Sequence, residues 1–423
     1  MKYKTITLKN GARLVRITGL STNAVTLAAF IRAGFRFDPI DKPGLAHFAE
    51  HMIFDGTESF PSTKEEAQAI EKHGGWHMAF TWIEHQRHIV HVPKDYAPIG
   101  LRVLLETLSK PLIKKSEVEK EKGVIREEIL KNLSDPTRAI WDYAWLPLFF
   151  QNTRIGRPYS GTIEDLEKIS QTDVKKFIAN NYIPQKTVFI VAGDIEEELI
   201  IELIEKGFKR PIIFNKESKF EPLMPQISKK VLVHKDPSYY QTSIFIGAET
   251  VPYISPLKPA LEIVREILGG YFGTNLIQTL RDKGGLIYDW TCFTDNFDES
   301  GYIIFNVAVA HENVYKVIPI VLAEFNRLVR GDISDEEIEI AKGHLIGSIY
   351  ANIEKGLDYV EWYGMQEILN PQGVVSVKEQ IDIYKKVSKQ EITAVASRFL
   401  NKDKILVGVV GNVEESGVIA LLK

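Results

Sequence analysis

Val191-Ala192-Gly193-Asp194-Ile195-Glu196 recurs late in the chain as Val409-Val410-Gly411-Asn412-Val413-Glu414, an offset of 218 residues. Each copy is a short apolar run ended by glycine and a polar residue, the pattern of a buried strand entering a turn. At the same offset Ser170-Gln171-Thr172-Asp173-Val174 meets Ser388-Lys389-Gln390-Glu391-Ile392. Leu104-Leu105-Glu106 meets Leu322-Ala323-Glu324, and Ser116-Glu117 meets Ser334-Asp335. Four anchors sharing one offset predict two domains of one fold, 1–213 and 229–423. Between them, 214–228 carries Pro222 and Pro225 among polar residues with little periodicity, and reads as a linker.

Working outward, Lys9-Asn10-Gly11-Ala12 is a hairpin signal between the alternating runs Tyr3–Leu8 and Arg13–Ile17. Ala24–Ile31 reads as a strand, Phe80–Val92 as one long strand, and Val188–Val191 as a buried one. Helical spacing marks Gly44–Phe54, Lys64–Lys72, Leu101–Leu108, Ser116–Leu133 and Thr172–Asn180. Strands and helices interspersed with hairpin signals predict an α+β class, each domain a mainly antiparallel sheet packed with helices.

Composition narrows the function. Of 423 residues 44% are hydrophobic and 26% charged, which excludes a disordered or fibrous chain. A formal charge of −4 leaves no basic footprint for nucleic acid. Cys292 is the single cysteine, so no intrachain disulfide forms. Neither a signal-type apolar N-terminus nor an apolar run of about 18 residues is present, and the reading is cytoplasmic with no membrane partner.

His47-Phe48-Ala49-Glu50-His51 lies in a helical segment, so His47 and His51, at i and i+4, stack on one face and can reach one cation. With 10 histidines in the chain, chance would produce this pattern about 0.02 times. Two histidines and one further carboxylate suit catalytic zinc, which keeps a position open for water. In Ser116–Leu133 the residues Val118, Glu121, Val124, Ile125 and Glu128 read as one side. Carboxylates on an apolar stripe are costly unless paired or metal-bound. Glu128 closes the predicted zinc set, Glu121 supports it as an outer acceptor, and Glu127 points about a quarter turn away.

The inverted motif, within Gly44-Leu45-Ala46-His47-Phe48-Ala49-Glu50-His51-Met52-Ile53-Phe54-Asp55-Gly56-Thr57, resembles the pitrilysin, insulin-degrading enzyme and mitochondrial processing peptidase family. The 77-residue spacing from His51 to Glu128, Gly161-Thr162-x-Glu164 and Gly193-Asp194 resemble it too. So does Gly269-Gly270 followed by Leu280-Arg281-Asp282-Lys283-Gly284-Gly285-Leu286-Ile287-Tyr288. The resemblance implies a zinc endopeptidase with one Zn2+ per chain, Glu50 taking a proton from the attacking water and Arg281 and Tyr288 donating to the substrate carbonyl. It implies a strand around Ala79 and Thr81 that takes up an extended peptide, and a short bacterial-type homodimer in which each chain is half of a clamshell. Its rivals are a weak or inactive chamber subunit of the same fold and a subunit of a heteromeric processing peptidase.

One residue departs from the family pattern. Met78 stands in Gly74-Gly75-Trp76-His77-Met78-Ala79-Phe80-Thr81 where the family has asparagine, and it lacks the amide's donor and acceptor. Neighbouring His77 is the candidate to compensate. Strand parity over His77, His85, His88 and His91 spreads these rings too widely for a second metal site.

Overall fold

The computed structural model describes residues 1–209 and 227–423, and the linker 214–228 lies outside them except for its last two residues. Eleven strands are present among the described residues. β1 (Lys2–Thr7), β2 (Arg13–Thr18), β3 (Ala24–Ile31), β4 (Trp76–Thr81), β5 (Gln86–Pro93) and β6 (Thr187–Ala192) form one sheet in the order β1-β2-β6-β3-β5-β4. β7 (Val231–Lys235), β8 (Thr242–Thr250), β9 (Trp290–Asn296), β10 (Gly301–Val309) and β11 (Ile405–Gly411) form a second in the order β7-β11-β8-β10-β9. Apart from the extra edge strand β1, the two orders are the same. In each sheet one pair is parallel (β2 with β6, β7 with β11) and the rest are antiparallel.

The repeated glycine has one physical cause in both places. Gly193 and Gly411 have φ of 131° and 155°. A Cβ on Gly193 would lie 2.9 Å from the Ala24 carbonyl oxygen, and one on Gly411 would lie 2.7 Å from the Thr242 Cα. Ala24 and Thr242 begin the equivalent strands β3 and β8. Each glycine therefore lets its chain leave the sheet past the start of the neighbouring strand. The repeated serines are also explained: Ser170 with Asp173, and Ser388 with Glu391, form capping boxes that start the helices Gln171–Asn181 and Lys389–Phe399.

Compact units form by exchange. One unit gathers Met1–Ile129, the described part of Tyr159–Phe220, and Asn352–Val374. The other gathers Leu130–Pro158, the described part of Glu221–Ala351, and Val375–Lys423. Each sequence half thus lends a segment to the other's unit, and the two segments correspond at the 218-residue offset. In the first unit the lent helix Gly356–Leu369 packs on β3 and β6. Its Tyr363 ring stacks on Tyr3 at 4.3 Å, and its Glu367 pairs with Arg13 at 2.6 Å. In the second unit the lent segment buries Trp145 and Phe149 against Tyr302, with ring centroids at 5.6 and 5.2 Å. Each such aromatic pair adds about 0.5–1.5 kcal/mol beyond area burial.

Two local expectations are corrected. Phe80–Val92 is not one strand: Trp82-Ile83-Glu84-His85 turns between β4 and β5, closed by the Trp82 amide donating to the His85 carbonyl at 2.9 Å. The turn resets the parity count. His77 pairs with Val90 and Ala79 with His88, so His77 and His88 share one face of the hairpin. His91, opposite Trp76, is on the other face and bonds Thr26 at 2.9 Å. Val124 is 48% exposed, not part of the buried stripe with Val118 and Ile125. Six residues from Val118 is about 240° of helical rotation, which carries Val124 to the solvent side.

Candidate metal centre

The site begins with helix α1 (Leu45–Met52) of the first unit. Gly44 caps it at φ 83°, and a Cβ there would strike the Ser160 carbonyl oxygen at 2.3 Å. Asp38, which the sequence reading missed, accepts from the Gly44 and Ala46 amides at 2.8 and 2.7 Å. Its buried carboxylate satisfies orphan donors of the first turn and complements the helix dipole. No local spacing signals this role, because the loop 39–43 separates Asp38 from the helix it caps.

From α1 the rings of His47 and His51 meet Glu128 on helix α2 (Lys115–Leu133). The Nε2 atoms of His47 and His51 are 3.2 Å apart, and Glu128 Oε2 is 3.6 and 3.5 Å from them. Zinc bonds of about 2.0–2.1 Å in a tetrahedral array set ligand atoms about 3.3 Å apart. The three atoms match that triangle, and His47, His51 and Glu128 fit a zinc ion. Among the described residues this is the one group of three or more His, Cys, Asp or Glu side chains so gathered.

The surroundings hold the triangle in place. Glu121 Oε1 lies 2.8 Å from His51 Nδ1, which fixes the tautomer and leaves Nε2 as the donor atom. Tyr159 donates to Glu128 Oε1 at 2.8 Å, while its ring meets His47 edge-on at 4.9 Å. It too was missed, although it stands two residues before the Gly161-Thr162 string. Burial pulls His47 down to about 4, so the ring is neutral as a ligand must be. Burial also lowers His51, but its hydrogen bonds to the Glu121 and Glu128 carboxylates outweigh that and lift it to about 9, so an ion bound at Nε2 would displace a proton held there by Glu128. Burial raises Glu128, but the hydrogen bond to His51, the adjoining histidine pair and the Tyr159 hydroxyl together take it down to about 2.

Glu50, one residue before His51, is not one of the three gathered ligand groups and accepts a hydrogen bond from Thr81 Oγ1 on β4. Burial raises its carboxyl above the usual range, against the hydrogen bond from Thr81 that lowers it, and the upward direction strengthens the group as a proton acceptor. β4 ends its sheet, so Ala79 and Thr81 lie on an edge strand. Met78 is 45% exposed on the face opposite His77. The His77 ring is directed toward Phe54 and Glu66 and does not stand in for the amide at Met78. In the second unit the Arg281 guanidinium packs 4.6 Å from the Phe272 ring and 5.5 Å from the exposed Tyr288 ring.

Residues 15–162 match the family model for insulinase (peptidase family M16), and residues 168–345 match the model for the peptidase M16 inactive domain. A zinc protease of Mycobacterium leprae is 28% identical over 409 residues, covering 94% of this chain and 89% of that protein. The beta subunit of the mitochondrial-processing peptidase of Saccharomyces cerevisiae is 25% identical over 434 residues, covering 97% and 91%. In fold, a protease from Helicobacter pylori superposes with a TM-score of 0.86 at 18% identity, over 97% and 99% of the two chains. A chain of Complex III2 from Candida albicans superposes with a TM-score of 0.83 at 16% identity, over 99% of both. With the inverted histidine motif built into a three-ligand cluster, and both halves matched in order, this chain belongs to the M16 insulinase family of peptidases.

Proposed function

We propose that the protein is a zinc-dependent endopeptidase that hydrolyses peptides or unfolded segments, with one Zn2+ per chain held by His47, His51 and Glu128. The observation that carries this is the convergence of those three ligand atoms beside a separately held, half-buried Glu50. When bound, the ion polarises the scissile carbonyl and lowers the pKa of the attacking water. Glu50 takes the proton of that water at its carboxylate and returns it to the leaving amine. Glu121 and Tyr159 keep the ligands in register. The edge of β4 at Ala79 and Thr81 receives the peptide as an added strand. Arg281 and Tyr288 donate hydrogen bonds to the substrate carbonyl as charge develops on its oxygen.

Two chains close as a cytoplasmic homodimeric clamshell in this proposal, each site taking its zinc ligands from one chain and Arg281 and Tyr288 from the other. Incubation of the zinc-loaded protein with a peptide library, cleavage being read by mass spectrometry, tests the activity; no cleavage overturns it. Subunit exchange between Glu50→Gln and Arg281→Ala chains tests the sharing. Shared sites restore about a quarter of wild-type activity, because half the dimers are mixed and each has one intact site. Sites built within one chain leave every site damaged.

A further inference from the structure

Thr81 and Gln86 face each other on the last rung of the β4–β5 hairpin, so their side chains emerge on the same face. That face meets α1. Gln86 is wholly buried and its Nε2 has two hydrogens: one reaches the Ala46 carbonyl at 2.7 Å, the other Thr81 Oγ1 at 2.9 Å. The opposite amide orientation would set the Gln86 oxygen against the Ala46 carbonyl, two acceptors face to face, and is excluded. An amide N–H only donates, so the Thr81 oxygen accepts from Gln86 and has its one hydrogen left for Glu50 Oε2. The polarity therefore runs one way, from Gln86 through Thr81 to Glu50. Thr81 is itself 4% exposed, so water does not readily replace its hydroxyl.

We propose that Thr81 is a positioning residue for Glu50, its hydroxyl aimed by Gln86 so that one carboxylate oxygen is held and the other is presented to the attacking water. This rests on the reading of Glu50 as the base. A carboxylate on a two-carbon stem otherwise samples several rotamers, and misplacement of about 1 Å costs on the order of a hundredfold in rate. Gln86 also ties β5 to the α1 carbonyl four residues before Glu50. Hairpin and helix thus set the base jointly, whereas the zinc ligands come from α1 and α2.

Steady-state cleavage of one peptide by zinc-loaded wild type, Thr81→Val, Thr81→Ser and Gln86→Met separates this from a packing role. Thr81→Val keeps the shape without the donor and should lower kcat roughly tenfold to a hundredfold with KM and zinc content unchanged. Thr81→Ser keeps the hydroxyl and should stay within about threefold of wild type, while Gln86→Met should lower kcat by a smaller factor than Thr81→Val. Equal kcat in wild type and Thr81→Val overturns the proposal, as does an equal loss in the Val and Ser variants. If Thr81→Val does not fold, unchanged kcat in Gln86→Met decides against it. A wild-type protein without peptidase activity overturns the parent reading and this one together; an active wild type with an indifferent Thr81→Val overturns this one alone.

Discussion

The same pair of helices is built twice, and among the described residues only one copy gathers side chains that could hold a metal ion. In the first unit α1 and α2 bring together two histidines and a glutamate. At the 218-residue offset, His47, His51 and Glu128 correspond to Arg265, Gly269 and Ile346, and Glu50 to Leu268. The second unit fills the place with an ion-paired network. Glu266, with its side chain 2% exposed, holds Arg265 at 2.6 Å and His344 at 2.9 Å. Both copies bond a histidine on one helix to a glutamate on the other, His51 to Glu121 and Glu266 to His344. In the first, that bond orients a ring whose far nitrogen faces other ligands; in the second, the carboxylate is taken up by Arg265. A fold repeat thus conserves the packing of two helices while the chemistry between them depends on three or four side chains.

The largest expected effect breaks the first copy at Glu50. Glu50→Gln should lower turnover by roughly a thousandfold while zinc content stays at one per chain, since a base and not a ligand is lost. Zinc analysis beside steady-state rates checks this, and near-wild-type turnover would remove Glu50 from the chemistry.

Next come the ligands. Glu128→Gln should weaken zinc by more than about a hundredfold and Glu121→Gln by about ten- to a hundredfold, with Glu127→Gln unchanged. Competition against a chromogenic chelator reads all three. A result in which the Glu127 variant loses metal and the Glu128 variant keeps it would transfer the ligand role.

In the second copy the corresponding change is structural. Glu266→Gln removes the carboxylate that Arg265 and His344 share, Arg265 keeping Glu262 at 3.5 Å, and should cost about 1–3 kcal/mol in stability with zinc binding untouched. Denaturant unfolding measures it, and a loss of zinc would refute the division between the copies.

A smaller effect sharpens the contrast between ligand and packing histidines. His88 is buried against Tyr182, its ring nitrogens have no hydrogen-bond partner among the described residues, and burial takes it down to about 3. The unfolded ring binds a proton near pH 6.5 and the folded ring does not, so stability is present above that pH and falls as pH drops toward 3. Between pH 7 and 5 this one group should cost about 2 kcal/mol, a loss that His88→Phe should remove. Equal acid sensitivity in the variant would show that other groups govern it.

Much of the fold was legible because its signals are local or repeated. The hairpin sequence at Asn10-Gly11 does join antiparallel β1 and β2. The capping serines and the glycines at 193 and 411 mark positions where backbone geometry restricts residue type. What was misread had its cause outside the pattern. Phe80–Val92 alternates acceptably on both sides of a turn, so parity alone did not reveal that the strand reverses. Asp38, Tyr159 and Gln86 were missed because each acts on an element separated from it by a loop or by most of a domain.

What the sequence by itself determined is therefore the stacking of His47 and His51 at i and i+4, the carboxylates at 121 and 128, and the doubled architecture. Helical pitch and backbone sterics act within one element and need no partner to be read. The tertiary structure decided the rest: the 3.2–3.6 Å triangle, the face shared by His77 and His88, the hold of Thr81 on Glu50, and the exchange of equivalent segments between the units. Those depend on which surfaces bury each other, and burial is settled by the whole chain at once.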